Sequence, residues 1–338
     1  MYCYRFLILV SLIGINTAEA QPFEALGVRA LGMAGAFVGV ADDATAVYWN
    51  PAGLSTGHFF SLLADHSDNS YRQSNNRNGF PKMSSPGTIV GLSTNDLAFS
   101  YYRLSINKAI PLLVNVANDD FSATQNDISI NTNLVTQNVA FTGSTFVHSA
   151  FRVGTTLRYV RGSIGLGSSG LSGSTAQIFD RTDGMERIGQ NKFDVDIGLM
   201  FGSEMIQIGI IGRNLLQPEF VDSIGRRAAR LDRHFRAGIG FRTRAGLLVS
   251  SDIDLSAIKN DPLDGQRRNV AVGLEHWFTD WLGIRGGSRV NILATTIKPV
   301  GSIGLSLAIV PGIFLDGQFT HGSGSIEESW GIAVRVGF

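Results

Sequence analysis

"KFDVDIGLMF", residues 192–201, sets Phe193, Val195, Ile197, Leu199 and Phe201 in alternation with Asp194, Asp196 and Gly198. A period of two is the strand period, which sends successive side chains to opposite surfaces. One surface of this segment is large and apolar; the other is charged or bare. "HFRAGIGFR", residues 234–242, repeats the pattern, with Phe235, Ala237, Ile239 and Phe241 opposed to Arg236, Gly238, Gly240 and Arg242. In "RNVAVGLEHWF", residues 268–278, Val270, Val272, Leu274 and Phe278 alternate with Ala271, Gly273, Glu275 and Trp277.

Fourteen such segments follow one another, from 58–66 through 96–105, 135–147, 150–162 and 191–202 to 329–338. Many have the length of a tilted strand crossing a bilayer, roughly 9–11 residues, and exceed the ~5–6 usual in soluble sheets. Every second connection is short: Asn95-Asp96, His148-Ser149, Ser203-Glu204, Arg244-Ala245, Thr279-Asp280 and Pro311-Gly312. Those between are longer, among them 67–86, 106–134, 163–190, 214–232 and 256–267. One end of the sheet therefore carries tight turns and the other carries loops, the asymmetry of an outer-membrane barrel with its turns in the periplasm.

The predicted fold is all-β: a closed antiparallel transmembrane barrel of about fourteen strands over residues 58–338. Closure is a physical requirement, because an unpaired strand edge in lipid leaves backbone groups unsatisfied at several kcal/mol each. Asp194, Asp196, Arg236, Asp252, Asp254, Glu275, Arg285, Asp316 and Arg335 fall on the second face and must point to the lumen. On the lipid face a midplane Arg or Lys would cost about 2–4 kcal/mol. Both signs occur, so the lumen reads as cross-linked rather than as a filter for one ion sign.

Composition agrees. Glycine, at 40 of 338 residues, is well above the usual ~7%, as tight turns and close backbone approaches require. Lys+Arg and Asp+Glu balance at 28 each, which gives no reason to expect nucleic acid as a partner. Residues 1–20 read as a signal peptide: Arg5, then the apolar "FLILVSLIGI", then "AEA" with cleavage after Ala20. The sole cysteine, Cys3, lies in that segment, so thiol chemistry and cysteine zinc sites are not expected in the mature chain. The last strand, "WGIAVRVGF", starts on Trp330 and ends on Phe338. It resembles the C-terminal signal read by the barrel assembly machinery of the outer membrane.

Residues 21–57 do not alternate and read as an N-terminal hatch or plug folded into the lumen. Gly32, Gly35 and Gly39, with neighbouring alanines, form a strip able to lie close against another backbone. Asp42 or Asp43 is placed to cap a short helix over "ATAVYW", which Pro51 ends by pushing Asn50 out of helical angles. "RALGMAGAFVGVADDATAVYWNPAGL", residues 29–54, resembles the N-terminal motif of the FadL-type outer-membrane transport superfamily. Later stretches such as "IGIIGRNLLQPEF" and "LLVSSDIDL" are more similar to its PorV-like and TraF-like branch. The resemblance implies a fourteen-stranded barrel whose hatch carries the Asn-Pro-Ala element at Asn50, Pro51 and Ala52, followed by Gly53.

Two function classes follow. One is a passive channel for a hydrophobic small-molecule solute, opened by movement of the hatch. The connection 106–134 offers it an apolar groove at Ile110, Leu112, Leu113, Val114 and Val116, although these residues equally suit a loop packed over the barrel mouth. The other is a docking platform for an exported protein, as the PorV-like resemblance implies. Enzyme chemistry is not expected: the histidines are scattered, and His66 beside Asp65 and Asp68 is the nearest approach to a catalytic site. No cofactor or metal site is indicated, and membrane lipids are the surrounding partner.

Overall fold

Strands with one apolar and one charged face need two unlike media, and the chain supplies them by curling its sheet shut. The computed structural model describes residues 23–72, 82–111, 128–170, 188–222, 225–261, 265–323 and 327–338. In chain order the strands begin with β1 (Phe60–Arg72), β2 (Lys82–Ser84), β3 (Gly87–Thr94), β4 (Leu97–Pro111) and β5 (Ile128–His148). Next come β6 (Phe151–Gly170), β7 (Ile188–Gly202), β8 (Ile206–Arg213), β9 (Glu219–Val221) and β10 (Arg227–Arg230). β11 (His234–Arg242), β12 (Leu248–Asp254), β13 (Ile258–Asp261), β14 (Gly265–Arg267) and β15 (Asn269–Thr279) follow. The last are β16 (Leu282–Asn291), β17 (Val300–Val310), β18 (Ile313–Gly322) and β19 (Glu327–Gly337).

β1, β3 to β8, β11, β12 and β15 to β19 are the staves of a fourteen-stranded antiparallel barrel, closed where β1 pairs with β19 from Ser61↔Gly337 to Tyr71↔Glu327. β2 prolongs β3 across Ser85 and Pro86, again between β1 and β4. The tight turns fall where alternation ends, because neighbouring strands in register leave only two to five residues to reverse the chain.

Burial follows the period of two. On β3, Thr88, Val90, Leu92 and Thr94 are exposed while the residues between them are buried. Around the outside Phe99, Phe141, Leu157, Phe193, Ile208, Ile303 and Ile332 are all exposed. An apolar girdle of this extent belongs in lipid.

The sequence pattern stops short on five strands, among them β1, which runs on to Arg72. β4, β5, β6 and β7 have 15, 21, 20 and 15 residues, so 106–111 and 128–134 are strand rather than loop. Past the hydrocarbon layer the side-chain pattern fades, but the backbone ladder continues, since hydrogen bonding alone holds it. Two further hairpins, β9–β10 and β13–β14, lie in stretches the alternation left as connections.

Inside the barrel residues 23–55 are buried, apart from a half-buried Asp42. They form α1 (Val28–Gly32), α2 (Ala46–Trp49) and a 3-10 turn over Pro51–Thr56, joined by tight loops. One apolar cluster joins Phe37, Tyr48 and Trp49 to the inner wall at Leu63, Ile89, Tyr102, Ile211 and Leu248. At the loop end a second cluster gathers Tyr71, Met83, Ile106, Leu134, Val160 and Ile164 around Phe220 of β9.

Candidate functional site

The site is the seam between the N-terminal segment and the wall. It begins with Asn50, which is fully buried and extended (φ −164°, ψ 104°) because Pro51 bars helical angles before it. Its Nδ2 donates to the carbonyls of Val38 (2.9 Å) and Leu199 (3.2 Å), and its Oδ1 accepts from the Ala52 amide (3.2 Å). One side chain thus ties two stretches of the segment to β7.

Three strand glycines receive this element. A Cβ on Gly154, Gly198 or Gly209 would stand 2.2 Å from Pro51 C, 2.1 Å from Asn50 Oδ1 and 2.3 Å from Val38 O. Gly53 is equally bound to its place, with Ala41 O 1.8 Å from where its Cβ would be. Of the small-residue strip, Gly32 meets Gly304 of β17 and Gly39 meets the Gly238 and Ile239 backbone of β11. Gly35 instead packs within the segment at positive φ (83°), between Glu24 and Trp49.

Electrostatics supplies the second set of ties. Arg29 of α1 reaches Glu275 of β15 with Nε (2.8 Å) and Nη2 (2.7 Å), while its Nη1 meets Asp42 and Asp43. Glu275 also accepts from Arg285 (2.7 Å), which leads on to Asp316 (3.2 Å) and Arg335 (3.1 Å). On the loop side Glu24 pairs with Arg236, which also holds Asp254 at 2.6 Å. Burial alone would push the Glu24 carboxyl up, but Arg236, with Arg289 beyond it, holds it down at about 2. Burial works against the Arg29 charge too, yet Asp42 and Glu275 raise its pKa well above the ordinary range.

Wall carboxylates also bond the segment's backbone. Asp252 accepts from the amides of Phe37 and Val38, both at 2.9 Å, and Asp65 accepts from Gly27 and Val28 at the start of α1. A third group joins Arg158 to Asp194 and Asp196, with Arg213 stacked 3.6 Å from the Tyr48 ring centre. All nine charged residues assigned to the lumen are buried inside the barrel. Trp330 and Phe338 stand on the outer face, both exposed.

Two expectations need correction. Neither aspartate caps α2, whose N-cap is Thr45 without a side-chain bond. Asp43 accepts from the Thr45 amide (2.9 Å) ahead of the helix, and Asp42 is drawn away by Arg29 and Arg242 (3.3 Å). Ile110 is no loop residue, being paired with Ile130 in the β4–β5 ladder, while Leu112, Leu113, Val114 and Val116 lie outside the described residues. His66 and Asp65 diverge across the wall: Asp65 turns inward to α1, and His66 bonds Thr88 (2.8 Å) beside Trp330.

Sequence reasoning missed Glu24, Arg29, Asp65 and the receiving glycines. The signal for Arg29 was present, as a lone cation inside a run of small residues. Gly154, Gly198 and Gly209 had none, since a strand glycine reads alike whether it faces water or a packed backbone.

No family model and no curated protein sequence matches the chain. Solved structures do. The CymD monoaromatic hydrocarbon channel is 15% identical with a TM-score of 0.66, covering 93% of this chain and 98% of that one. The toluene transporter TbuX of Ralstonia pickettii is 15% identical with a TM-score of 0.58, covering 91% and 98%. A FadL homologue of Pseudomonas aeruginosa is 12% identical with a TM-score of 0.57, covering 92% and 98%. At these identities the likeness establishes a shared fold, the closed antiparallel barrel of fourteen strands.

Proposed function

We propose that the protein is a bacterial outer-membrane channel for small hydrophobic molecules, with residues 1–20 a cleaved export signal and residues 21–57 a hatch that must move for solute to pass. The observation that carries this reading is the apolar cluster at the loop end. The inward apolar residues Leu63, Ile89, Tyr102, Ile211 and Leu248 are covered by the N-terminal segment, but at the loop end Tyr71, Met83, Ile106, Leu134, Val160 and Ile164 turn a separate apolar surface inward around Phe220. Burying apolar area yields about 25 cal/mol per Å², which makes such a cluster a landing place for a greasy solute and a poor one for an ion. Solved barrels of the same fold bear the descriptions toluene transporter and monoaromatic hydrocarbon channel.

Uptake of N-phenyl-1-naphthylamine by intact cells with and without the protein tests the reading. Faster uptake with the protein supports it, and equal rates across a panel of apolar solutes overturn it. Crosslinking that captures an exported polypeptide while uptake stays at background would support a docking platform instead.

A further inference from the structure

The loop-side end of the barrel carries arginines of two kinds. Arg226 and Arg227, at the β9–β10 hairpin, are neutralised by Asp222 and Glu219. Arg233, directly before β11, and Arg268, directly before β15, are not: among the described residues neither guanidinium pairs with a carboxylate. We propose that Arg233 and Arg268 hold the phosphate groups of lipopolysaccharide, the acylated and phosphorylated glycolipid of the outer leaflet, against the outside of the barrel. The inference rests on the outer-membrane setting and is independent of what the lumen conducts.

Backbone rather than opposite charge fixes both guanidiniums in place. Arg233 Nε donates to Leu215 O (2.9 Å), and Arg268 donates from Nε to Asp254 O (2.8 Å) and from Nη2 to Leu255 O (3.1 Å). The Leu255 amide in turn donates to Phe235 O (2.8 Å), so the ends of β11, β12 and β15 present the pair together. They do so on the outer face. His234 and Asn269 are buried toward the lumen, and their chain neighbours Arg233, Phe235 and Arg268 fall on the opposite side. Each guanidinium keeps N–H groups to spare, and its planar fork matches the oxygens of a phosphate.

The second observation is what lies beside them. Leu216, Phe235, Leu255 and Ile292 are exposed on the same wall, and the Ile292 amide donates to Arg268 O (2.9 Å). The patch therefore joins an apolar strip to positive charge that no acid neutralises. A phosphorylated glycolipid has the matching order, acyl chains against the strip and phosphate against the guanidiniums. A free anion would leave the strip uncovered. With the tight turns in the periplasm, this edge of the barrel meets the outer leaflet.

Protein purified in dodecyl maltoside is titrated with diphosphoryl lipid A and read by native mass spectrometry. Arg233→Gln/Arg268→Gln removes both forks without touching a strand ladder. Arg226→Gln/Arg227→Gln removes the same formal charge from pairs already neutralised. The first variant should lose lipid A adduct by about fivefold or more, the usual worth of a cation beside an anionic lipid surface. The second should change it by less than about twofold, since exposed ion pairs contribute little. Both should keep the heat-modifiable migration of the parent; if Arg268→Gln disturbs it, Arg233→Gln alone carries the test. No fall in the first variant, an equal fall in both, or a parent without adduct would overturn the site. Lipid A stripped of phosphate binding as well as the intact form would overturn the phosphate assignment, and phosphatidylglycerol binding as tightly would overturn the glycolipid.

Discussion

Asn50 and Gly198 meet with no room for one more atom: a Cβ on Gly198 would lie 2.1 Å from Asn50 Oδ1 and 2.9 Å from Pro51 Cδ. The hatch carries the hydrogen-bonding side chain, and β7 carries the absence of one. Both are needed for the Nδ2 bond to Leu199 O, since any larger side chain at 198 would hold the segment off the wall.

Gly198→Ala should therefore displace the Asn-Pro element while the barrel still closes. Overpacking of this kind costs roughly 1–3 kcal/mol. Tryptic cleavage after Arg29 reports release of the hatch, and heat-modifiable migration on a gel reports the barrel. Asn50→Ala should cost about 3 kcal/mol by losing three bonds at roughly 1 kcal/mol each. The double variant should be less than additive, because truncating position 50 vacates the space that the methyl group added at position 198 needs.

Glu275→Gln should loosen the hatch more than any exposed charge change. It leaves Arg29 and Arg285 buried with a shared neutral partner, and breaking a buried pair costs about 3–5 kcal/mol. Arg29→Lys should recover only part of the function, since an ammonium cannot make the two-pronged contact with Glu275. Thermal unfolding followed by tryptophan fluorescence checks both.

Acid should release the loop-side edge of the segment. Glu24 is held at about 2 in the fold against an ordinary 4.5, so its contribution is whole above pH 4.5 and disappears as pH falls toward 2. Protease sensitivity of residues 23–57 should rise across that window. Glu24→Gln should raise it at neutral pH and flatten the dependence.

Phe220→Ala should let a small solute in. Phe220 is fully buried against Gly162, whose Cβ would stand 2.1 Å from its ring. Removing the ring leaves apolar space lined by Leu134, Val160 and Ile164, and empty apolar cavities bind small aromatics. Native mass spectrometry in mild detergent with added toluene should show more adduct on the variant than on the parent; equal adduct would place the solute elsewhere.

How much of this could be read in the chain differs by residue. Phe193 and Asp194 had opposite fates assigned by period alone, and they are exposed and buried as the period requires. Ile110 escaped, because β4 is buried on both faces from Leu104 to Ala109, so alternation no longer marks the strand there. The close packing of the N-terminal segment was legible in Gly32, Gly39 and Asn50-Pro51, whose types imply close approach and a broken helix. What they approach was hidden: Gly304, Gly238 and Gly198 all lie far along the chain from the residues they receive.

The sequence by itself determined the number of staves, their facing and their alternation of turn and loop, since each depends on neighbours a few positions away and on one physical contrast, lipid against water. Tertiary structure alone decided which charge meets which. Arg29 and Glu275 are 246 positions apart, and only the curvature that closes the sheet brings them within 2.7 Å. Local pattern fixes the surfaces of a barrel, while the contents of its bore depend on contacts that exist only once it has closed.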